Sequence, residues 1–200
     1  ILCITLNQAT AKVPLYRLAD WIGASPLPKW EGINAQNLTR KHFEDALSAL
    51  CYFTPQKTWE NKGYLLQKTL TKAWRGTSRE PAGAYYDITK QSYYGAHCPY
   101  GQLGHNEDGG TSLVIGFSMV VSKEHHHPIL CQALPGGQND SLSVVSVLEM
   151  LQGQGLHNLT LIMDKGMTSK DNVRKIVNTG YHLVGSIKGW GKETIAYASR

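Results

Sequence analysis

The order of hydrophobic and polar positions divides the chain into a helical first part and a second part that is rich in strands. Apolar side chains within residues 37–50 recur near the 3.6-residue period of a helix, and Asn37 or Thr39 is placed to cap its start. A second stretch with the same periodicity covers residues 59–75. The pattern therefore predicts a mostly helical N-terminal region over residues 1–82.

From residue 83 onward, short runs of β-branched and aromatic residues are separated by Gly, Pro, Asn and Asp, which is typical of strands and turns. Helical periods then alternate with compact apolar runs. The predicted order is strands at 84–89, 111–121 and 129–134, a helix at 142–152, a strand at 159–163, a helix capped by Thr168 or Ser169, and a strand at 181–187. Tight turns suit antiparallel pairing of the first three strands, and helical connections suit parallel pairing of the last two. The predicted fold is α/β, with a mixed sheet built from three antiparallel strands followed by helix, strand, helix and strand.

Composition narrows the class of protein. Of 200 residues, 42% are hydrophobic and 18% are charged, which argues against intrinsic disorder. No apolar run approaches about 20 residues, so we expect no membrane-spanning helix. The chain begins with Ile rather than Met, and we expect it to be a piece of a longer protein.

The positive charge is unevenly distributed. The first 82 residues hold 11 Lys and Arg against 6 Asp and Glu, whereas residues 83–200 hold nine of each. A basic N-terminal region beside a neutral domain suits a polyanion such as nucleic acid, but an ordinary solvated helix surface explains the charge equally well. The four widely spaced cysteines match neither a zinc ribbon nor a disulfide framework, so we expect reduced thiols in a cytosolic protein.

Two aspartates occupy positions where chemistry is expected. Asp87 lies inside the first strand of the second region, and Asp164 directly follows the fourth. Asp is a poor strand former, and its neighbours Tyr86 and Ile88 suggest that Asp87 is held among apolar side chains. If these two strands are adjacent, the carboxylates meet, and a hard divalent cation relieves their repulsion. The alternative is that Asp164 caps a turn and Asp87 binds nearby backbone.

Four blocks between Tyr85 and Trp190 resemble the catalytic domain of insertion-sequence DDE transposases, which has the RNase H-like fold. They are Tyr86-Asp-Ile-Thr89, the strand from Leu113 to Val121 with Gly104 before it, Leu134-Pro-Gly-Gly-Gln-Asn-Asp140, and Met163-Asp-Lys-Gly-Met167. Their order and spacing agree with the family. The resemblance therefore divides the chain into a basic, mostly helical region, 1–82, and an RNase H-like core, 83–200, that is incomplete at its C-terminus.

The resemblance implies a site and a reaction. Asp87 and Asp164 would be the first two acids of the triad and would bind two Mg²⁺ or Mn²⁺ ions. The reaction would be hydrolysis of a phosphodiester at the element end, followed by transfer of the freed 3′-hydroxyl to target DNA. The partner would be double-stranded DNA, at the element ends and at the target, and a homodimer could form in the DNA complex. The protein would be cytoplasmic, and nucleoid-associated when it is bound to DNA.

The sequence departs from the family most at the third acid. The family has a Glu on a helix after the fifth strand, and Glu193 is the only carboxylate in the corresponding tail. Glu193 follows the strand too closely and lacks the surrounding signature, so it is not assigned, and Glu149 lies on the wrong helix. Without the third ligand, metal binding should be weaker and catalysis poor or absent. A DNA-binding remnant and a related metal nuclease acting on RNA–DNA hybrids are the alternative functions.

Other residues carry weaker signals. His125-His-His127 with Cys131 could bind a metal, although an exposed turn before Pro128 explains the histidines better. Asp140 could support the site, but a helix N-cap is the simpler explanation. Lys165 occupies the position where the family has Arg. The lysine keeps the positive charge but loses the bidentate phosphate geometry of Arg. Lys165 and two residues of the following helix, Lys170 and Arg174, are candidates for contact with the DNA backbone.

Overall fold

A computed structural model describes residues 1–53, 59–76, 80–106 and 108–186. Its chain forms two compact units, Ile1–Leu66 and Gln67–Arg200. The sequence-based boundary between residues 82 and 83 stays a prediction, because compactness does not test which segment folds as a domain.

The first unit is built mainly from short helices. They are α1 (Leu2–Ala9), α2 (Leu18–Gly23), α3 (Leu27–Glu31) and α4 (Arg40–Ser48), with 3₁₀ turns at Leu15–Arg17 and Ala35–Asn37. Leu18, Ile22, Leu27 and Phe43 form their buried core. Of the two proposed caps for α4, Thr39 takes the role, and its backbone N–H donates to Nδ1 of His42 over 3.1 Å.

The predicted second helix begins later than its periodicity indicates. A small antiparallel hairpin, β1 (Cys51–Phe53) and β2 (Trp59–Asn61), precedes α5 (Lys62–Arg75). The helix prediction for residues 59–61 is therefore wrong.

The second unit contains the main sheet. Its strands are β3 (Gly83–Ser92), β4 (Gln102–His105), β5 (Thr111–Ser122), β6 (Pro128–Pro135), β7 (Thr160–Met163) and β8 (His182–Gly185), with α6 (Ser143–Gly153) between β6 and β7 and α7 (Lys170–Asn178) between β7 and β8. The strand order is β6-β5-β3-β7-β8, and β4 pairs with the first residues of β5. β5 is antiparallel to both β3 and β6, whereas β7 is parallel to β3 and β8 is parallel to β7.

This topology confirms the predicted α/β fold with a mixed sheet, and it is consistent with the RNase H-like arrangement. All the predicted strands of this region are present, and their described ends differ from the predicted ones by up to a few residues; residue 187 of the last predicted strand lies outside the described residues. β4 was not predicted, because four residues that include Gly104 give too short a pattern to recognise.

One face of the sheet is buried and the other is partly exposed. Tyr86 and Leu161 point to the buried face, where α6 contributes Val147 and Leu151 and α7 contributes Ile176. Apolar burial of this kind is the main stabilising contribution to such a fold. On the opposite face, large side chains remain exposed, among them Tyr85, Phe117 and Met119.

Helix α5 protects the outer edge of β6. The side-chain amide of Gln67 donates to the carbonyl oxygen of Cys131 over 3.0 Å and accepts from its backbone N–H over 2.5 Å. Thr71 adds a bond of 3.4 Å to the carbonyl oxygen of Ile129. These side chains replace the strand partner that an edge strand lacks, which reduces the tendency of such an edge to pair with another chain.

The helices within the described residues include none that is long and apolar enough to cross a membrane.

Candidate functional site

The sheet register brings the two predicted acidic residues side by side. β3 and β7 are parallel, and their paired residues end with Tyr85 opposite Ile162 and Tyr86 opposite Met163. Asp87 and Asp164 are the next residues on the two strands. Adjacent strands lie roughly 5 Å apart, so the two Cα atoms are close neighbours. The strand adjacency on which the meeting of the two carboxylates depended is therefore present.

The two carboxylates also share a face. Side chains alternate along a strand, and Tyr86 and Met163 are buried, so the residues that follow them point to the opposite, partly exposed face. The backbone of Asp164 remains extended, with φ −77° and ψ 163°, which continues the alternation. Both aspartates are exposed.

The exposure of Asp87 corrects one expectation. Its apolar sequence neighbours suggested a carboxylate held among apolar side chains, but Tyr86 points to the buried face while Asp87 points away from it. An exposed carboxylate keeps its hydration, so no buried partner is required to stabilise it.

Asp164 also organises the turn that follows it. One of its carboxylate oxygens, Oδ1, accepts from the backbone N–H of Lys165 over 2.6 Å, and a 3₁₀ turn covers Lys165–Met167. The turn-capping alternative is thus correct for Asp164, and it is compatible with the metal-ligand prediction because a carboxylate has two oxygens and about four lone-pair sites.

Asp140 is not the cap that the sequence suggested. The preceding residue, Asn139, caps the 3₁₀ turn Asp140–Leu142, and its Oδ1 accepts from the N–H and hydroxyl of Ser141 over 3.1 Å each. The Asp140 carboxylate instead faces the ammonium group of Lys90, with Oδ1 3.5 Å from Nζ. Its Oδ2 lies 3.9 Å from where a Cβ atom on Gly166 would stand, so Asp140 borders the loop that follows Asp164.

Asn172 holds the loops that carry Asp140 and Asp164 together. Its side-chain amide donates to the carbonyl oxygens of Ser141 and Met167, each over 2.8 Å. Asn172 is 5% exposed, so these bonds are shielded from water. The two loops are therefore fixed relative to each other by a single buried side chain.

Tyr86 connects the strand of Asp87 to the loop of Asp140. The hydroxyl of Ser143 donates to the carbonyl oxygen of Asp140, so the Tyr86 hydroxyl donates to Ser143, each bond being 2.5 Å. Burial raises the pKa of Tyr86, and the negative charges of Asp140 and Asp87 act in the same direction, against the opposing effect of its hydrogen bonds to Ser143 and Ser118. Tyr86 therefore stays protonated and keeps its role as a donor.

The three candidate DNA contacts are accessible. Lys165, Lys170 and Arg174 are all exposed, and Lys165 is directly adjacent to Asp164. Arg174 lies 3.5 Å from Asp171 one turn earlier on α7. Their contact with DNA stays a prediction.

The histidine segment forms the turn that was favoured over a metal site. His126 has a positive φ of 55°, and the rings of His125 and His127 lie against Trp74, with centroids 6.1 and 4.9 Å away. Within the described part of the chain, no group of three or more His, Cys, Asp or Glu side chains could hold a metal ion. Glu149 is exposed on α6, and Glu193 lies outside the described residues.

Two exposed carboxylates side by side nevertheless fit a hard divalent cation. Mg²⁺ and Mn²⁺ prefer carboxylate and water oxygens, and Mg²⁺ usually keeps several waters and takes one or two carboxylates. Asp87 and Asp164 offer that donor set at a place that water reaches.

Sequence inspection missed Lys90. It was unremarkable as one lysine in a strand, and its partner Asp140 is 50 residues away. The one available signal was local, since Lys is depleted in strand interiors.

The fold is similar to solved transposase structures at low sequence identity. A piggyBac transposase synaptic complex with hairpin DNA matches 82% of this chain with a TM-score of 0.45 and 15% identity, and this chain spans 37% of the length of that one. A Mos1 transposase paired-end complex with the left transposon end matches 98% of this chain and 68% of the Mos1 chain, with a TM-score of 0.35 and 9% identity. A Mos1 mariner paired-end complex with Mn matches the same shares, with a TM-score of 0.34 and 8% identity. No protein-family model and no curated protein matches the sequence.

Proposed function

We propose that this chain belongs to the catalytic core of a DDE-type DNA transposase of an insertion element. Its reaction would be metal-dependent hydrolysis of a phosphodiester at the element ends, followed by strand transfer. The observation that carries the proposal is the register of β3 and β7, which sets Asp87 beside Asp164 on one accessible face.

Asp87 and Asp164 are the proposed ligands of Mg²⁺ or Mn²⁺, in a two-metal site that a third acid would complete. When bound, such ions stabilise the attacking and leaving oxygens of a phosphodiester. The chain itself holds its two carboxylates on neighbouring strands. Asn172 and the Tyr86–Ser143 pair fix the adjoining loops, which keeps the site geometry constant.

The proposed DNA contacts belong to the same region. Lys165 is adjacent in sequence to Asp164, and Lys170 and Arg174 lie on the helix that follows. Exposed cations beside a cleavage site position a nucleic-acid backbone through its phosphates.

Calorimetric titration with Mn²⁺ tests the metal site. The wild type is expected to release or absorb heat on binding, and Asp87→Ala and Asp164→Ala are expected to lose that signal. Glu149→Ala, which removes an exposed carboxylate from α6, is the matched control and should behave like the wild type. Equal heats for the wild type and Asp87→Ala would refute the metal assignment.

Nicking assays separate the functional alternatives. Weak plasmid nicking with Mn²⁺ that Asp164→Ala abolishes is the result expected of a transposase core whose third acid is not assigned. Salt-sensitive DNA binding without nicking by the wild type would identify a DNA-binding remnant instead. Preferential cleavage of RNA–DNA hybrid would favour an RNase H-like nuclease.

A further inference from the structure

The end of strand β8 lies beside the candidate acidic site. β7 and β8 are parallel, and their last paired residues are Met163 and Gly185. The next residues on the two strands are Asp164 and Ser186. Because β3 pairs with β7 in the same direction, Asp87, Asp164 and Ser186 form one row across the carboxyl ends of three adjacent parallel strands.

The side chain of Ser186 points to the same face of the sheet as the two carboxylates. A Cβ atom on Gly185 would stand 3.2 Å from the methyl group of Thr168, and Thr168 is fully buried. The Cβ direction of Gly185 is therefore that of the packed face, and strand alternation turns Ser186 to the opposite, accessible face. Val184, on the other side of Gly185, points there too and is 55% exposed, and Ser186 itself is exposed.

Two features fix the backbone of Ser186 close to Asp164. The hydroxyl of Thr168 donates to the carbonyl oxygen of Ser186 over 2.5 Å. β7 has already ended at this point, so the hydroxyl supplies the donor that a longer strand would have offered. Gly185 allows close approach, since a Cβ atom there would stand 2.7 Å from the carbonyl oxygen of Met163. Ser186 is thus anchored through its backbone, and its side chain takes no part in the anchoring.

Ser186 adds a hydrogen-bond donor to the end of this row. Ionised carboxylates only accept hydrogen bonds, and the residue on β5 that pairs with Asp87 is Met119, which is apolar and 44% exposed. The oxygens of a phosphate are acceptors as well, so the side chains of Asp87, Asp164 and Met119 offer them no donor. A serine hydroxyl does. The row is therefore apolar at its β5 end, acidic in the middle and hydrogen-bond donating at its β8 end.

We propose that the hydroxyl of Ser186 donates to a non-bridging oxygen of the DNA phosphate that occupies the acidic site, so that this phosphate lies on the β8 side of the two aspartates. The inference rests on the proposed function, because a phosphate approaches two carboxylates only when cations offset their charge.

Fluorescence anisotropy with a short labelled DNA duplex tests this hydrogen bond. The dissociation constant is measured on ice in Mn²⁺ and in EDTA at equal ionic strength, and the ratio of the two isolates the metal-dependent part of binding. The wild type should bind more tightly in Mn²⁺, and Asp87→Ala should lose this gain. Ser186→Ala should match the wild type in EDTA but bind roughly fivefold to tenfold more weakly than the wild type in Mn²⁺, since it lacks one hydrogen bond to a charged group.

Two variants and a second measurement make the result specific to the hydroxyl. Ser186→Thr keeps the hydroxyl and should bind as the wild type does in Mn²⁺. Thr160→Val removes a hydroxyl from the first residue of β7, on the same face as Asp164, and should match the wild type in both buffers. In calorimetry without DNA, Ser186→Ala should give the Mn²⁺ heats of the wild type, because its hydroxyl contacts the phosphate rather than the ions.

Three results would overturn the inference. One is a Ser186→Ala variant that binds in Mn²⁺ as tightly as Thr160→Val; if Asp87→Ala still loses the gain, the proposed function stands without Ser186. Another is a Ser186→Ala variant that loses the Mn²⁺ heats or binds more weakly in EDTA as well, which would make Ser186 a metal ligand or a structural residue. The third is a wild type whose binding does not respond to Mn²⁺, which would remove the inference together with the proposed function.

Discussion

At the scale of single residues, position along a strand decides which side chains can do chemistry. Asp87 and Tyr86 are neighbours in sequence, yet the first is exposed and the second is buried with its hydroxyl bonded to Ser143. The strand alternation sends the carboxylate to the accessible face and the phenol to the packed one. One strand thus supplies both a candidate metal ligand and a bond that fixes the adjoining loop.

Tyr181 gives a prediction about alkaline stability. Its side chain is 2% exposed, its hydroxyl donates to the carbonyl oxygen of Leu156 over 2.6 Å, and burial raises its pKa to about 12. In the unfolded chain the Tyr181 side chain ionises near pH 10. The stabilisation that comes from its raised pKa in the folded state is therefore complete below pH 10 and is lost as the pH rises toward 12. The loss should reach about 1.4 kcal/mol of unfolding free energy by pH 11.

Urea unfolding at pH 9 and pH 11 measures this loss. Tyr181→Phe should be less stable than the wild type at pH 9 by about 1 kcal/mol, because the Leu156 carbonyl loses its donor. The variant should then lose less stability than the wild type between pH 9 and pH 11. If the wild type and Tyr181→Phe lost the same unfolding free energy between pH 9 and pH 11, Tyr181 would not be the cause of the loss of stability at alkaline pH.

At the scale of elements, α5 completes the sheet without being a strand. The amide of Gln67 satisfies both backbone groups of Cys131 on β6. Gln67→Ala should therefore cost about 1 kcal/mol of unfolding free energy and should increase self-association through the uncovered edge. Urea unfolding and light scattering after size-exclusion chromatography measure the two effects.

Matched variants make the edge prediction specific. Gln91→Ala removes the same side chain from an exposed position on β3 and should leave both measurements near those of the wild type. Gln67→Glu keeps an acceptor for the Cys131 N–H but loses the donor, so its stability should fall between the wild type and Gln67→Ala. A Gln67→Ala variant that resembles Gln91→Ala in both respects would contradict the role of α5 as an edge cover.

Most elements of the second unit could be predicted because their signals are local. Gly and Pro mark the ends of the strands, Ser169 is the one of the two proposed caps that begins α7, and the short apolar run of β7 ends directly before Asp164. β4 is too brief to have a period, and β2 falls inside a helical pattern whose first residues are Trp and Glu. The edge contact of Gln67 could not be predicted, since it joins residues 64 positions apart.

The candidate site likewise combines features that local sequence signals predict with features that depend on long-range contacts. The strand directions follow from which connections are turns and which are helices, whereas the neighbour order that places Asp87 beside Asp164 is a finding of the structure. Asp140 was expected to be a cap because the sequence predicts a helix that begins at residue 142. The structure has a 3₁₀ turn that already begins at Asp140, so the preceding residue, Asn139, is the cap. The Lys90–Asp140 pair depends on how the loop after β6 folds back to β3, and no local pattern encodes that.

At the scale of the whole molecule, occupation of the acidic site should be visible in global stability. A ligand that binds only the folded state adds RT ln(1 + [L]/Kd) to the unfolding free energy. With an affinity near 1 mM, which suits two carboxylates without a third ligand, 10 mM Mn²⁺ adds about 1.4 kcal/mol. For a unit of this size the wild-type melting temperature should rise by roughly 3–5 °C.

Neutral variants of the two acids test whether the stabilisation by Mn²⁺ comes from the acidic site. Asp87→Asn and Asp164→Asn should gain almost nothing from Mn²⁺, whereas Glu149→Gln should gain as much as the wild type. In EDTA the two Asn variants should match the wild type or exceed it by a few tenths of a kcal/mol, because like charges on neighbouring strands repel. Variants that melt well below the wild type in EDTA would show instead that the carboxylates hold the fold together, and the accessible face formed by Asp87 and Asp164 would then be structural rather than chemical.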